Sequence, residues 1–173
     1  MNAMNLHNKL SNRINIRRGF SLIELVIVIV IIGIIAAIAI PRMSRGSQGA
    51  AESSLRANLA VMRNAIELFV TEHEGKLPST TGATFADQMT KNTDIDGNVG
   101  TTSGTHIYGP YMREIPKLPV NSSVAGRKGK NGVATADAVG IGWLYTNPTA
   151  TTWELKPNTG TQKGQDETLY SDW

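Results

Sequence analysis

The stretch that decides the fold is residues 17–41, which read RRGFSLIELVIVIVIIGIIAAIAIP. Within it, the 21 residues 20–40 contain only two polar side chains, Ser21 and Glu24. A helix rises about 1.5 Å per residue, so this run would be about 31 Å long and match a hydrocarbon core of roughly 30 Å. We therefore predict a transmembrane helix over residues 20–40, with the parts of the chain on either side in different compartments.

The charge distribution orients that helix. Residues 1–19 carry four basic and no acidic side chains, whereas the remaining 13 basic and 14 acidic residues sum to −1. The positive-inside rule places residues 1–19 in the cytoplasm and the chain after Pro41 outside it. A nearly neutral outer part argues against a nucleic-acid-binding domain. The chain has no cysteine, which excludes disulfides, thiolate nucleophiles and cysteine metal sites.

Residues 1–16 are polar and basic without apolar periodicity, which is typical of a targeting segment. Small residues at 36–39 offer a cleavage site behind the apolar run, and Gly19–Phe20 offers one in front of it. The run is longer than the h-region of about 7–15 residues in a secretory signal peptide. This favours cleavage in front of the run, with the span retained.

Residues 18–24, Arg-Gly-Phe-Ser-Leu-Ile-Glu, resemble the class III signal of type IV pilins and type II secretion pseudopilins. The resemblance implies that a prepilin peptidase cuts between Gly19 and Phe20 and N-methylates Phe20, so that residues 1–19 are a cleaved leader. Glu24 and Pro41 then stand at the family's fifth and twenty-second mature positions. Ser21 departs mildly from the family, where threonine is commoner.

A carboxylate in a membrane span costs about 2.5–3.5 kcal/mol at the helix centre and less near the interface. In a filament, Glu24 of one subunit would meet the amine of its neighbour's Phe20, neutralise it and fix the axial register. The alternative is a simple anchor whose Glu24 extends to the lipid headgroups.

Gly33 and Pro41 are predicted weak points of the helix. Gly33 permits close packing of membrane helices, and Pro41 removes a backbone donor. The family resemblance implies that the stretch between them unwinds in an assembled filament.

Beyond the span, residues 50–74 contain neither proline nor glycine. Apolar residues at steps of four and three form one helical face: Leu55, Leu59, Met62, Ile66 and Phe69. We predict that residues 41–75 are an amphipathic continuation of the long helix, with this face packed on the outer domain. A helix on the membrane surface is the alternative, which charges of mixed sign disfavour.

Residues 76–173 are predicted to form a globular periplasmic domain. Residues 84–89 favour a short helix, 90–104 a loop, and the prolines in 108–120 an extended connector. Residues 140–145 and 151–156 predict a hairpin. The predicted fold class is α+β: a long N-terminal helix packed on a small C-terminal antiparallel sheet, pilin-like in arrangement.

The proline-rich connector at 111–119 and the Gly-Trp-Leu-Tyr strand at 142–145 resemble the major, G-type pseudopilin. The lack of cysteine fits this branch. The resemblance also implies calcium as a candidate cofactor near the C-terminus, where Asp166, Glu167 and Asp172 are oxygen donors without an assigned ligand pattern.

The other candidate sites are weaker. His73 at the helix end is predicted to face solvent, and no catalytic constellation is visible, so we expect no enzymatic activity. Residues 94–98 begin like a calcium loop, but Val99 and Thr105 stand where glycine and glutamate are needed, which favours a solvated turn. Basic residues in 127–130 are interpreted as a solvated loop, with DNA contact as the weaker alternative.

The sequence thus predicts a single-pass inner-membrane subunit that polymerises into a homo-oligomeric periplasmic filament. As a type II secretion pseudopilin it would need the prepilin peptidase, an inner-membrane assembly platform and minor pseudopilins. One alternative is a type IV pilin for adhesion, motility or DNA uptake. Another is a membrane-anchored periplasmic binding protein that never polymerises.

Overall fold

The computed structural model describes residues 19–80, 82–101 and 104–173. The chain divides into two units, Met1–Arg42 and Met43–Trp173. Of the predicted leader, residues 1–18 lie outside the described residues. The elements in the described ranges are α1 Leu22–Glu72, α2 Gly82–Thr90, β1 Asn92–Thr93, β2 Val99–Gly100, β3 Gly132–Ala134, β4 Ile141–Thr146, β5 Glu154–Pro157 and a 3-10 turn at Tyr170–Asp172.

The described part of the first unit consists mainly of the N-terminal portion of α1. Its apolar side chains are exposed on all faces of the helix. A helix satisfies its backbone groups internally, as a hydrocarbon layer requires. The most apolar 18-residue window has a mean hydropathy of 3.2 and no buried residue, so α1 is long and apolar enough to cross a membrane. The helix continues through Gly33 and Pro41, and a break there in an assembled filament stays a prediction.

The second unit contains the amphipathic portion of α1, and the predicted apolar face is buried. Its five members, Leu55, Leu59, Met62, Ile66 and Phe69, are each at most 2 % exposed. They form one core with Phe85 of α2 and with Trp143 and Tyr145 of β4. Burying a large apolar side chain contributes about 1.5–3 kcal/mol, so this face is a principal source of the unit's stability. Core packing of the stripe is confirmed.

α1 ends at Glu72, and the chain reverses over the next residues. Glu74 and Gly75 have positive φ angles of 57° and 86°. The backbone N–H of Gly75 donates to the carbonyl of Val70 at 2.9 Å. This left-handed ending is the conformation that glycine favours after a helix, and it lies where Gly75 predicts it.

The main sheet has the strand order β3-β4-β5. β4 and β5 are the predicted hairpin, paired antiparallel with Tyr145 opposite Leu155. β3 pairs with β4 in parallel orientation, so the sheet is mixed. Glycine is required at position 142 of β4, because a Cβ there would collide with the carbonyl of Lys130.

The stretch predicted as a plain loop, residues 90–104, contains an antiparallel hairpin of β1 and β2, with Thr93 opposite Val99. The loop prediction is wrong because strands of two residues are too short to show a period. The fold class is confirmed: an α+β, pilin-like fold with a long N-terminal helix and small C-terminal sheets.

Candidate processing and assembly site

α1 begins with half of a capping box, in which the Glu24 side chain accepts a bond from the backbone of Ser21. Ser21 directly precedes the first helical residue, Leu22, and Glu24 is the third helical residue. The backbone N–H of Ser21 donates to Oε2 of Glu24 at 2.8 Å. The N–H of Leu25 donates to the Ser21 carbonyl at 3.2 Å. A glutamate at the third helical position satisfies a helix-terminal donor in this way, so Glu24 helps to set where α1 starts.

The role of Ser21 was missed at the level of sequence, where it counted only as a departure from the family. The signal that could have found it is the spacing of Ser21 and Glu24 immediately before an apolar helix.

Glu24 lies in the first turn of α1, at the positive end of the helix dipole. A negative charge there is worth about 0.3–1 kcal/mol, which offsets part of the cost of an acid in apolar surroundings. A carboxylate accepts several hydrogen bonds. Glu24 can therefore keep its bond to the backbone of Ser21 and still accept a bond from a cation.

The predicted cleavage site precedes this helix start. Gly19 and Phe20 have no regular structure, and the Phe20 side chain is 89 % exposed. Apart from its neighbours in the chain, no described residue lies within 4 Å of the position that a Cβ on Gly19 would take. The peptide bond between them is thus accessible to a peptidase, while its cleavage stays a prediction.

His73 is buried, so the prediction that it faces solvent is wrong. Its ring is stacked on Phe69, with centroids 3.8 Å apart. Nδ1 lies 2.7 Å from the Phe69 carbonyl oxygen and must donate, because a carbonyl only accepts. Nε2 lies 2.9 Å from the hydroxyl of Thr93. His73 follows Phe69 by four residues and therefore continues the spacing of four and three that defines the buried face. That spacing could have predicted the burial of His73.

Tyr111 of the proline-rich connector packs at the same place. Its ring lies edge-on to Phe69, with centroids 5.5 Å apart, and its hydroxyl donates to Oε2 of Glu72 at 2.7 Å. Burial, followed by the bond to Glu72, raises the pKa of Tyr111 well above its ordinary value. Tyr111 therefore fixes the connector to the end of α1.

Two of the acidic residues considered for calcium, Asp94 and Asp166, accept local hydrogen bonds. Bonds from the side chain and backbone of Asn98 hold the pKa of Asp94 below its ordinary value. The Thr168 hydroxyl donates to Asp166 at 2.7 Å and lowers the pKa of that carboxyl. Among the described residues, no group of three His, Cys, Asp or Glu side chains could hold a metal ion.

Arg127, the first cation of the basic loop, is buried rather than solvated. Its Nε donates to Oδ1 of Asp137 at 2.6 Å, and Nδ2 of Asn158 donates to the same oxygen at 2.7 Å. Hydrogen bonds from Arg127 and Asn158 lower the pKa of Asp137. The loop is thus tied to the residue after β5, while Lys128 and Lys130 are exposed.

Comparison with known families supports the interpretation of the N-terminal segment. Residues 14–40 match the family model described as the prokaryotic N-terminal methylation motif. The matched region contains Gly19, Phe20 and Glu24, so the N-terminal segment is similar to the processing signal of the type IV pilin-like superfamily. No curated protein and no solved structure matches the chain.

Proposed function

We propose that the chain is a structural subunit of a periplasmic pseudopilus that drives protein export by type II secretion. Prepilin peptidase would cut after Gly19 and methylate the nitrogen of Phe20. The processed chain would then polymerise on an inner-membrane assembly platform, together with minor pseudopilins. Its work is mechanical rather than catalytic.

The observation that carries this proposal is a fully apolar helix surface with one carboxylate fixed at its start. Side chains of residues 20–40 are exposed on all faces, whereas the second unit buries its own apolar face. A bilayer covers such a surface before assembly, and the same segment of other subunits covers it in a filament. A simple anchor needs only the bilayer, and Glu24 is the feature that favours a filament.

Cleavage would convert the nitrogen of Phe20 into a positive amine. Glu24 of a neighbouring subunit can accept that amine while it keeps the bond from its own Ser21. The pairing would neutralise two charges in a layer where an unpaired charge is most costly. It would also define the axial step between subunits.

Glu24→Gln tests this pairing. A glutamine at the third helical position can still accept from the Ser21 N–H, so the helix start is kept and only the charge is lost. We expect normal membrane insertion and cleavage, and at least about tenfold fewer filaments, because one buried charge pair is broken. Filaments are measured by chemical cross-linking in cells that express the full chain, followed by immunoblotting of the cross-linked multimers.

Ser21→Ala is the matched control, since it keeps both the backbone donor and the carboxylate. It should assemble nearly as the wild type does. Wild-type filament yield from Glu24→Gln would refute the amine pairing.

The processing step is tested separately, by mass spectrometry of the mature chain. We expect the N-terminus to be N-methylated Phe20. A mature chain that still begins at residue 1 would contradict the whole proposal.

Gene deletion distinguishes export from pilus function. Loss of exported proteins from the medium, with surface pili intact, supports a pseudopilin. Loss of adhesion, motility or DNA uptake with normal export would instead identify a type IV pilin. The ion pair between Arg127 and Asp137 weakens the case for direct DNA contact by the basic loop.

A further inference from the structure

α1 is intrinsically weak where the second unit begins. Gly46 and Gly49 lie inside the helix, and glycine is a poor helix former. The hydroxyls of Ser53 and Ser54 bond to carbonyls four residues back, at 2.9 and 3.0 Å, which tends to weaken or bend helices. The fully buried apolar residues of α1 start only at Leu55. Residues 45–52 therefore need support from elsewhere.

That support comes from residues 163–173, which we call the strap. The side-chain Nε2 of Gln165 donates to the Arg45 carbonyl oxygen at 2.9 Å. The backbone N–H of Gln165 donates to Oε1 of Glu52 at 3.0 Å. The hydroxyl of Tyr170 donates to the same oxygen, also at 3.0 Å. Three hydrogen bonds thus join the strap to both ends of the weak stretch.

Glu52 makes these contacts specific. It is 7 % exposed, and a buried carboxylate is costly unless donors surround it. Its third donor is Nε2 of Gln48 on its own helix, at 3.0 Å. Undocking the strap would therefore remove two of the three donors from this carboxylate.

The strap is held in shape by its own backbone. Lys163 and Leu169 pair across it in antiparallel fashion, and the N–H of Gly164 donates to the Thr168 carbonyl at 2.9 Å. One turn along α1, the guanidinium of Arg56 lies 4.1 Å from the ring centre of Trp173. A preformed strap loses little conformational entropy when it docks, which strengthens its hold on the helix.

We infer that the strap is a helix clamp, which keeps residues 45–52 helical and prevents unwinding that starts at Pro41 from entering the second unit. Proline lacks the N–H that continues a helix, and the two glycines that follow would let a break spread. The strap therefore determines how far along α1 such unwinding can extend. Its role during filament growth rests on the proposed function, whereas the clamp itself is a property of the single chain.

Hydrogen exchange of the full chain in detergent micelles tests the clamp without any filament. In Gln165→Ala and in Gln165→Glu, which keeps the side-chain length but loses the donor, amides 46–53 should exchange on the order of fivefold faster. Amides 59–69, which belong to the core, should keep their wild-type rates. Lys163→Ala is the matched control from the same strap, and it should leave amides 46–53 unchanged.

Acceleration of less than twofold in both Gln165 variants would overturn the clamp. Equal acceleration of amides 59–69 would also overturn it, because the strap would then belong to the global fold. Neither outcome touches the proposed function, which is tested by filament yield in Glu24→Gln.

Discussion

α1 contains two apolar segments that differ in what covers them. Residues 20–40 are apolar on every face and exposed, whereas the apolar face within residues 55–69 is buried by α2 and the sheet of the same chain. The same hydrophobic effect acts on both. Folding of the chain removes the apolar face of the second segment from water. The apolar surface of the first segment can be removed from water only by lipid or by other molecules. The difference separates the part of the helix that specifies the fold from the part that is suited to membrane and assembly.

The largest effect that would sharpen this comparison is expected at Phe69. It is 1 % exposed and stacked on His73, so Phe69→Ala should lower the free energy of unfolding of the second unit by about 3–5 kcal/mol. Urea titration of the full chain in detergent, followed by tryptophan fluorescence, measures it. Leu68→Ala is the neighbouring control, at a side chain that is 49 % exposed, and should cost under about 1 kcal/mol. Equal losses for the two variants would break the distinction between the faces.

A charge in the first segment should impair membrane insertion without changing the stability of the second unit. Ile31→Asp should oppose membrane insertion by about 2.5–3.5 kcal/mol and leave the urea midpoint of the second unit unchanged. The partition of the chain between membrane and soluble fractions measures the insertion. Val61→Asp, at an exposed position of the second unit, should insert normally. A larger loss of insertion in Val61→Asp than in Ile31→Asp would contradict the assignment of residues 20–40 as the span.

The helical parts of the fold were predictable because their signals are long. The span and the step pattern from Leu55 to Phe69 each extend over several turns, and Gly75 marks the stop. The hairpin of β1 and β2 and the parallel pairing of β3 with β4 were not predictable, because strands of two or three residues are too short to show a period.

The candidate site was predictable to the extent that its residues are close in sequence. Gly19, Phe20 and Glu24 fall within six residues, and family resemblance identifies them. The bond from Gln165 to Arg45 joins residues 120 positions apart, and Arg127 finds Asp137 across a loop. Such polar contacts follow no periodic pattern, so neither contact could be predicted from the sequence alone.

A smaller effect is expected at His73, which extends the buried face by one turn. His73→Phe keeps an aromatic ring against Phe69 but loses the bonds to the Phe69 carbonyl and the Thr93 hydroxyl. The free energy of unfolding should fall by about 1–2 kcal/mol. Thr93→Val removes the same hydroxyl from the other side. A double variant whose loss equals the sum of the single losses would show that the two side chains do not interact.

The smallest effect concerns the polar contacts of the second unit, which should matter less than its apolar face. Hydrogen bonds from Arg127 and Asn158 hold the pKa of Asp137 below its ordinary value of 3.8. A carboxyl with a depressed pKa stabilises the fold above its unfolded pKa, and this contribution is lost as the pH falls through its folded pKa. The wild type should therefore lose more stability than Asp137→Asn does as the pH falls below the ordinary pKa of 3.8 and through the lower folded pKa. The difference should be modest, because the Asp137 side chain is 42 % exposed and screened by solvent. Asp87→Asn breaks an exposed pair between Asp87 of α2 and Lys91, the residue after α2, and is the control for a generic loss of charge. A pH dependence that is identical in the wild type and Asp137→Asn would mean that burial of Arg127, rather than its ion pair, holds the loop in place.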